Sequence, residues 1–468
     1  MDKLMLGIDL ACRAEHRASL ADEGGKLLWQ GRAFHSTRAE LDALAGAIGP
    51  NDGLTVVLEP TRNAWVPVAA YFMAQGARVV VVPPEQAADL RRYYSKHAKT
   101  DKLDSKLLAR LPLLHPDGLV ALGDLGPARA LKRAVRRRAH LIDDRTASHN
   151  RIDALLELFS PGYAAVFGGG DFCKAALAVL ARYPDPRALL RLGRARLVTT
   201  LKKLTRGKWS EDKADQFLAS AREVLALWQD GGLDFDELAW DVASEVRLAH
   251  MIDDEIARLE ARIETLYGEA DPQRIVVSAP GAGTVLAAGI LGRLGDARRF
   301  ANLAGVRSFS GMVPRNDQSG LSEGQCELTK AGDPGLRRDL FLAADKARSV
   351  DPQLAARYYR LVVDRGLTHT SAVCHISTTL LTRIAACWRK GDHYVIRDVG
   401  GRPISAEEGR RICKERYAIP PEVRRSRRRA RRGQVIKHRA GRRSKESTVI
   451  APTPDLPSSS VLKEVAKA

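Results

Sequence analysis

The feature that most limits what this chain can fold into is a pair of short, unbroken apolar runs. These are Leu54–Glu59 (LTVVLE) and the segment ARVVVVP that begins at Ala77, both set behind a third run, Leu4–Ala11 (LMLGIDLA). Runs of this length, rich in β-branched residues and bounded by glycine and proline, read as buried strands. Between Leu4–Ala11 and Leu54–Glu59, HRASLAD and KLLWQGRAF flank the turn Glu23-Gly24-Gly25 and read as a hairpin. Thr37-Arg38-Ala39-Glu40 has capping-box spacing and opens a helix through Leu41, Leu44 and Ile48. A helix from about Ala64 to Gln75 separates the two buried runs, and short helices follow the last one.

Three early strands followed by α-β-α-β-α is the order of a ribonuclease H-like (RuvC-like) α/β domain. A dinucleotide-binding unit is disfavoured because no G-x-G-x-x-G follows the first strand. In a ribonuclease H-like sheet the first and fourth strands are neighbours. That would bring Asp9, in G-I-D, beside Glu59, in V-V-L-E. Asp101 and Asp104, in K-T-D-K-L-D, stand three apart and share one side of a helix. Carboxylates converging on hard cations make a two-metal clamp for phosphodiester chemistry. Each acid alone is unremarkable, since a strand-end Asp is usually solvated and D-x-x-D is common on helices. The four together, in this order, point to metal-dependent cleavage.

Downstream, two long helices are expected. The first, Ala128 to Phe159, carries Leu131, Val135, Ile142, His149, Ile152, Leu156 and Phe159 on one stripe. The second, about Phe235 to Tyr267, repeats apolar residues at three and four, which suits a coiled coil within or between chains. A basic, helical insert lies between them. The expected organisation is α/β plus α: a catalytic domain over 1–125, a helical linker over 126–270 with insert 160–235, a mostly helical domain over 271–392, and a basic disordered tail over 393–468.

The chain of 468 residues carries a net charge of +19, and the stretch from Arg424 to Lys445 holds 12 Lys/Arg and no acid. Arg424, Arg425, Arg427, Arg428, Arg429, Arg431 and Arg432 therefore read as a polyanion-binding run, most simply for nucleic acid. A solubilising tail is the plainer alternative. The six scattered cysteines form no C-x-x-C pair, which disfavours a zinc site or a disulfide framework. No apolar span suits a signal peptide or membrane helix, so a soluble cytoplasmic protein with no membrane partner is expected.

The segment GMVPRNDQSGLSEGQCELTKAGDPGLRR (Gly311–Arg338) places Ser319-Gly320 in a polar, glycine-rich loop. Arg315 precedes it, and Lys330, Arg337 and Arg338 follow. A serine attacking a phosphodiester needs an exposed hydroxyl and cations to hold the phosphate. A surface Ser-Gly turn is the plainer reading, and Ser322 competes as nucleophile. Pro280-Gly281-Ala282-Gly283, ahead of an apolar helix, reads either as a backbone phosphate cradle or as helix packing.

Taken together, GIDLA, VVLEPT, GARVVVVPP, KTDKLDSKLLA, APGAG, RRFANLAGVRSFSGMVPRNDQSG and LTKAGDPGLRR resemble the DEDD-type transposases of bacterial insertion sequences (insertion sequence family 110). That group is related to the Piv-type DNA invertases. The resemblance covers about residues 4–112 and 274–392. It implies a RuvC-like domain whose four acids are Asp9, Glu59, Asp101 and Asp104, holding Mg2+ or Mn2+, and a C-terminal transposase domain whose catalytic serine is Ser319. It further implies covalent attack on donor and target DNA, a site assembled from two domains within a homodimer or homotetramer, and a non-coding bridge RNA as guide. Two departures stand out: Glu59-Pro60-Thr61-Arg62 replaces E-A-T-G, and Ser105 replaces a small alanine after the fourth acid. The leading reading is a DNA recombinase of a mobile element. A RuvC-like metal-dependent nuclease and a non-catalytic nucleic-acid-binding scaffold are the alternatives.

Overall fold

The computed structural model describes residues 3–49, 53–94, 101–114, 119, 121–123, 125, 129–168, 172–229, 231–314, 318–319, 322–323, 328–423 and 425. A five-stranded mixed sheet organises the N-terminal region, formed by β1 (Met5–Asp9), β2 (His16–Ala21), β3 (Leu27–Phe34), β4 (Thr55–Leu58) and β5 (Arg78–Val81). Its order is β3-β2-β1-β4-β5. The first three strands pair antiparallel, and β1, β4 and β5 pair parallel. The expected contact between first and fourth strands is present, with Gly7 opposite Val57.

Side chains alternate across this sheet. Leu6, Ile8, Val56 and Leu58 enter one core with Leu41 and Leu44 of α1 (Arg38–Ile48) and Val68 and Phe72 of α2 (Trp65–Ala74). The other face carries Val57 and Val80, covered by Ala87 of α3 (Pro84–Tyr94) and Leu108 and Leu111 of α4 (Asp101–Leu114). Thr37 caps α1 by accepting from the Glu40 N–H, as the capping-box spacing predicts.

Helix α5 (Ala130–Phe159) and helix α11 (Phe235–Ala270) are packed antiparallel. Arg138 pairs with Glu260, Arg145 with Asp253, and Arg151 with Glu245, so one helix ascends as the other descends. Between them α6 (Pro161–Phe167), α7 (Lys174–Arg182), α8 (Pro186–Leu192), α9 (Arg194–Thr205) and α10 (Glu211–Leu227) build a core together with the long helices, around Phe159, Tyr163, Phe167 and Phe217.

The remainder comprises α12 (Thr284–Leu294), α13 (Leu303–Ser310), β6 (Gln318–Ser319), β7 (Ser322–Glu323), α14 (Pro334–Ala347), α15 (Pro352–Tyr359), α16 (His369–Lys390) and α17 (Ala406–Arg416). The chain divides into two compact units. One holds Met1–Val276, Thr284–Gly305 and Asp333–Asp339, and the other holds Val277–Gly283, Val306–Gly332 and Leu340–Ala468. Among the described residues no helix is long and apolar enough to cross a membrane.

Residues 393–423, within the stretch expected to be a disordered tail, are ordered. Tyr394 is buried and donates to Asp351 Oδ2 at 2.6 Å, while Arg383 reaches the same carboxylate at 3.2 Å. Ser405 caps α17, and Gly409 lies where a Cβ would come within 2.2 Å of the Val350 carbonyl. A buried polar anchor orders this stretch instead of an apolar stripe, which is why periodicity did not reveal it. Of the predicted arginine run only Arg425 is described, exposed and helical; Arg424, Arg427, Arg428, Arg429, Arg431 and Arg432 lie outside the described residues.

Candidate active site

Gly7 and Asp9 alternate with Leu6 and Ile8, so they face the α3–α4 side of the sheet. The pairing of Gly7 with Val57 puts Val57 on that same side, and Glu59, two residues on, follows it just past the strand end. Helix α4 sits against β1 because Gly7 has no side chain. A Cβ there would come within 2.1 Å of the Ala109 nitrogen and 2.3 Å of the Ser105 carbonyl. This close approach sets Asp104, only 6% exposed, over the strand ends. Glu59 and Asp104 line one small pocket with Ala87, Leu90, Leu107 and Leu108.

Ser105, next to Asp104, is fully buried. Its Oγ lies 2.9 Å from Ser19 Oγ, which also accepts from the Gly31 N–H at 3.1 Å. The serine thus ties α4 to β2 and β3. On the other side of Asp9, His16 Nδ1 accepts from the Ala11 N–H while Nε2 meets Ser36 Oγ at 2.8 Å. Burial, with His35 nearby, holds the imidazole below its usual range against an opposing pull from Glu40. That favours the neutral ring which these two hydrogen bonds require. Arg62 is exposed with φ +49°, a left-handed turn that glycine would adopt without strain.

Two hard carboxylate donors above an apolar floor, with Asp9 on the same sheet face, fit a small divalent cation by chemistry. Among the described residues no three His, Cys, Asp or Glu side chains stand close enough together to hold a metal ion. The Asp101 side chain lies outside those residues.

Ser319 lies on a different element. It pairs directly with Ser322 across the two short strands, with Gln318 opposite Glu323. The two serines considered from sequence are therefore cross-strand partners in one hairpin. The stem continues through the Pro314–Leu328 bridge and the Thr329 N–H to Val313 carbonyl bond. Lys330 closes it in a left-handed conformation with an exposed side chain. Arg315 and the side chains of Ser319 and Ser322 lie outside the described residues. Arg337 and Arg338 open α14 in the first unit, and Arg338 stands 3.7 Å from Asp143. Gly281, in the left-handed region, meets α14 backbone, where a Cβ would approach the Ala343 carbonyl at 2.2 Å. This favours helix packing for the Pro280–Gly283 turn.

One polar cluster escaped the sequence reading. Arg293 of α12 is 6% exposed and pairs with Asp333 at 2.9 Å and Asp339 at 3.4 Å. Gly335 and Gly289 leave the room: a Cβ at Gly335 would collide with the guanidinium at 2.2 Å, and one at Gly289 with Asp339 Oδ2 at 2.3 Å. Burial pushes Asp333 up, but Arg293, the Leu336 and Gly335 N–H groups and Arg136 outweigh it and hold the carboxyl low. The available signal was the glycine inside an otherwise helical run, G-I-L-G-R, which marks a close approach.

Two family models match these segments. The transposase model for the IS110 DEDD domain covers residues 6–161, and the model for transposases of the IS116/IS110/IS902 family covers residues 273–360. The chain belongs to the IS110 family of transposases. Among its relatives, the 43.6 kDa protein of insertion element IS110 from Streptomyces coelicolor is 28% identical over 408 residues, spanning 86% of this chain and 98% of the relative. The 42 kDa protein of insertion element IS900 from Mycobacterium paratuberculosis is 27% identical over 402 residues, spanning 83% and 96%. The 44.8 kDa protein of IS116 from Streptomyces clavuligerus is 26% identical over 387 residues, spanning 80% and 92%. This IS110-family member is thus a DNA transposase. Its DEDD domain carries the ribonuclease H-like order seen in the sheet and points to divalent-metal use.

Proposed function

We propose that this transposase breaks and rejoins DNA through a phosphoserine link formed by Ser319, with Asp9, Glu59, Asp101 and Asp104 holding two Mg2+ or Mn2+ ions at the scissile phosphate. The observation that carries the reading is the placement of Asp9, Glu59 and Asp104 on one face of a ribonuclease H-ordered sheet, within the segment matched by the DEDD domain. When bound, the metal would stabilise the charge that builds on the phosphate oxygens.

In the step itself, Ser319 Oγ loses its proton and forms a bond to phosphorus. The bond from phosphorus to one deoxyribose oxygen breaks, and that oxygen takes up a proton. A deoxyribose hydroxyl from another strand then reverses the step and releases the serine. One phosphodiester is exchanged for another, so no nucleotide hydrolysis is needed, and the chain has no G-x-x-x-x-G-K-[ST] loop.

Arg315, Lys330, Arg337 and Arg338 are assigned to phosphate contact, and the arginine run from Arg424 to Arg432 to the flanking nucleic acid. The domain division at 125, 270 and 392, a coiled-coil role for the long helices, a homodimer or homotetramer and a bridge RNA guide belong to the same reading. Capturing a protein–DNA adduct on a suicide substrate tests it. The wild type and Ser322→Ala should form the adduct, while Ser319→Ala should lose it entirely. An adduct in Ser319→Ala that disappears in Ser322→Ala would move the nucleophile to Ser322. Cleavage without an adduct in any variant would leave a water-using nuclease. Sequencing of RNA that co-purifies with the protein tests the guide, and a single discrete species is the expected outcome.

A further inference from the structure

The insert between the two long helices packs into a core shared with both of them and has no part in the chemistry above. Its α9 buries Leu197, Val198 and Leu201. At about 100° per residue, Arg196 and Lys203 fall within about 20° of each other on the side away from that core, two helical turns or about 11 Å apart. Arg206 and Lys208 follow just past the helix end, and all four are exposed. The cations of α9 that face α10 are neutralised instead. Arg194 is bound by Asp215 through two hydrogen bonds of 2.7 and 2.9 Å, and Lys202 by Glu211 at 2.6 Å. Among the described residues the ridge cations have no ion pair.

Helix stability accounts for Lys203, a cation in the last turn, but not for Arg196 or Arg206. A cation in the first turn works against the helix dipole, and Arg196 is the third residue of α9. Arg206 holds the left-handed C-cap with φ 52°, where glycine or asparagine would sit with less strain. The ridge also lacks a stacking platform for single strands. Tyr163, Phe167 and Phe217 are buried, and Lys213 lies over the ring of half-buried Trp209. Thr199 and Thr200 turn their hydroxyls back to the carbonyls of Ala195 and Arg196, which leaves ionic contact as the means of recognition.

We propose that Arg196, Lys203, Arg206 and Lys208 form a docking ridge for the phosphate backbone of duplex DNA, separate from the carboxylate site. The proposal rests on the assignment of this chain as a DNA transposase. Cations of this kind hold DNA without reading sequence and release counterions as they do so.

The test measures binding of the full-length protein to a duplex of about 30 base pairs in EDTA across a range of salt, so that cleavage plays no part. The variant is Arg196→Gln/Lys203→Gln/Arg206→Asn. The double variant Arg196→Gln/Lys203→Gln leaves the C-cap untouched and guards against a folding defect. A charge-matched control removes the exposed Lys174, Arg222 and Arg247 as Gln. The expected result is that the log–log salt slope of the triple variant becomes shallower by about 2 to 3, against little change in the control. Equal slopes in variant and wild type would overturn the ridge, as would an equal loss in the control. A loss seen with an RNA duplex but not with DNA would overturn duplex DNA as the occupant. A wild type that held no duplex at all would overturn duplex docking by the protein alone, ridge included, whereas intact wild-type binding with an unaffected variant would sink only the ridge; the family assignment stands in either case.

Discussion

Asp9 and Glu59 share a face through side-chain alternation along two hydrogen-bonded parallel strands, and Asp104 is added by a helix that rests directly on Gly7. Ser319 and Ser322 face each other across strands of only two residues each. The acid site is therefore embedded in a core that runs through both faces of a sheet. The serine hairpin depends on a few backbone hydrogen bonds at its stem. A metal clamp needs fixed donors, because small hard cations tolerate little error in ligand position. Under the proposed reading the nucleophile would instead work from a loop, where catalytic residues are often carried.

Breaking the acid side should have the largest effect. Asp104→Asn keeps the shape of a nearly buried side chain but removes its charge. Strand transfer should fall by at least about a thousandfold, in line with the loss of a principal electrostatic group, while DNA affinity in EDTA is retained. Activity within a few-fold of wild type would remove Asp104 from the clamp. A second substitution probes the support and leaves the donors intact. Gly7→Ala adds a methyl that meets α4 backbone at 2.1 Å, so the helix must lift from the sheet. Overpacking of this kind costs about 3 kcal/mol, read as a lowered urea midpoint, and strand transfer should fall with it. A stable, active Gly7→Ala protein would mean that the helix position does not matter to the site.

How much of this was legible beforehand follows from the same contrast. The pairing of first with fourth strand is a topological rule, and it brings Asp9 beside Glu59 from sequence alone. The role of Gly7 was not legible, because G-I-D looks alike whether the glycine meets solvent or a helix backbone. Nor was Arg293, whose burial depends on glycines and aspartates 4 to 46 positions away. The order beyond residue 392 was missed for the same reason. Asp351 binds Tyr394 and Arg383 and also caps α15 through the Gln353 and Leu354 N–H groups, and such a polar knot has no period. Asp351→Ala should leave these partners without their acceptor and destabilise the protein by about 3 kcal/mol. Hydrogen exchange should then report early opening of 394–416, and unchanged protection there would show that other contacts order the segment.

The smallest effect separates the two sides most finely. Ser105→Ala restores the small residue expected after the fourth acid and removes the bond to Ser19, whose Oγ still accepts from the Gly31 N–H. One buried hydroxyl pair is worth about 1 kcal/mol net, so the thermal midpoint should drop by a few degrees. The methyl is tolerated where Ser105 already carries a Cβ, and α4 keeps its seat on Gly7, so Asp104 keeps its position. Strand transfer at low temperature should therefore match wild type while stability declines. If activity fell several-fold at a temperature where the variant is fully folded, the Ser19–Ser105 bond would be part of how Asp104 is aimed. The acid side would then depend on hydrogen bonding, as the hairpin does, and not on backbone packing alone.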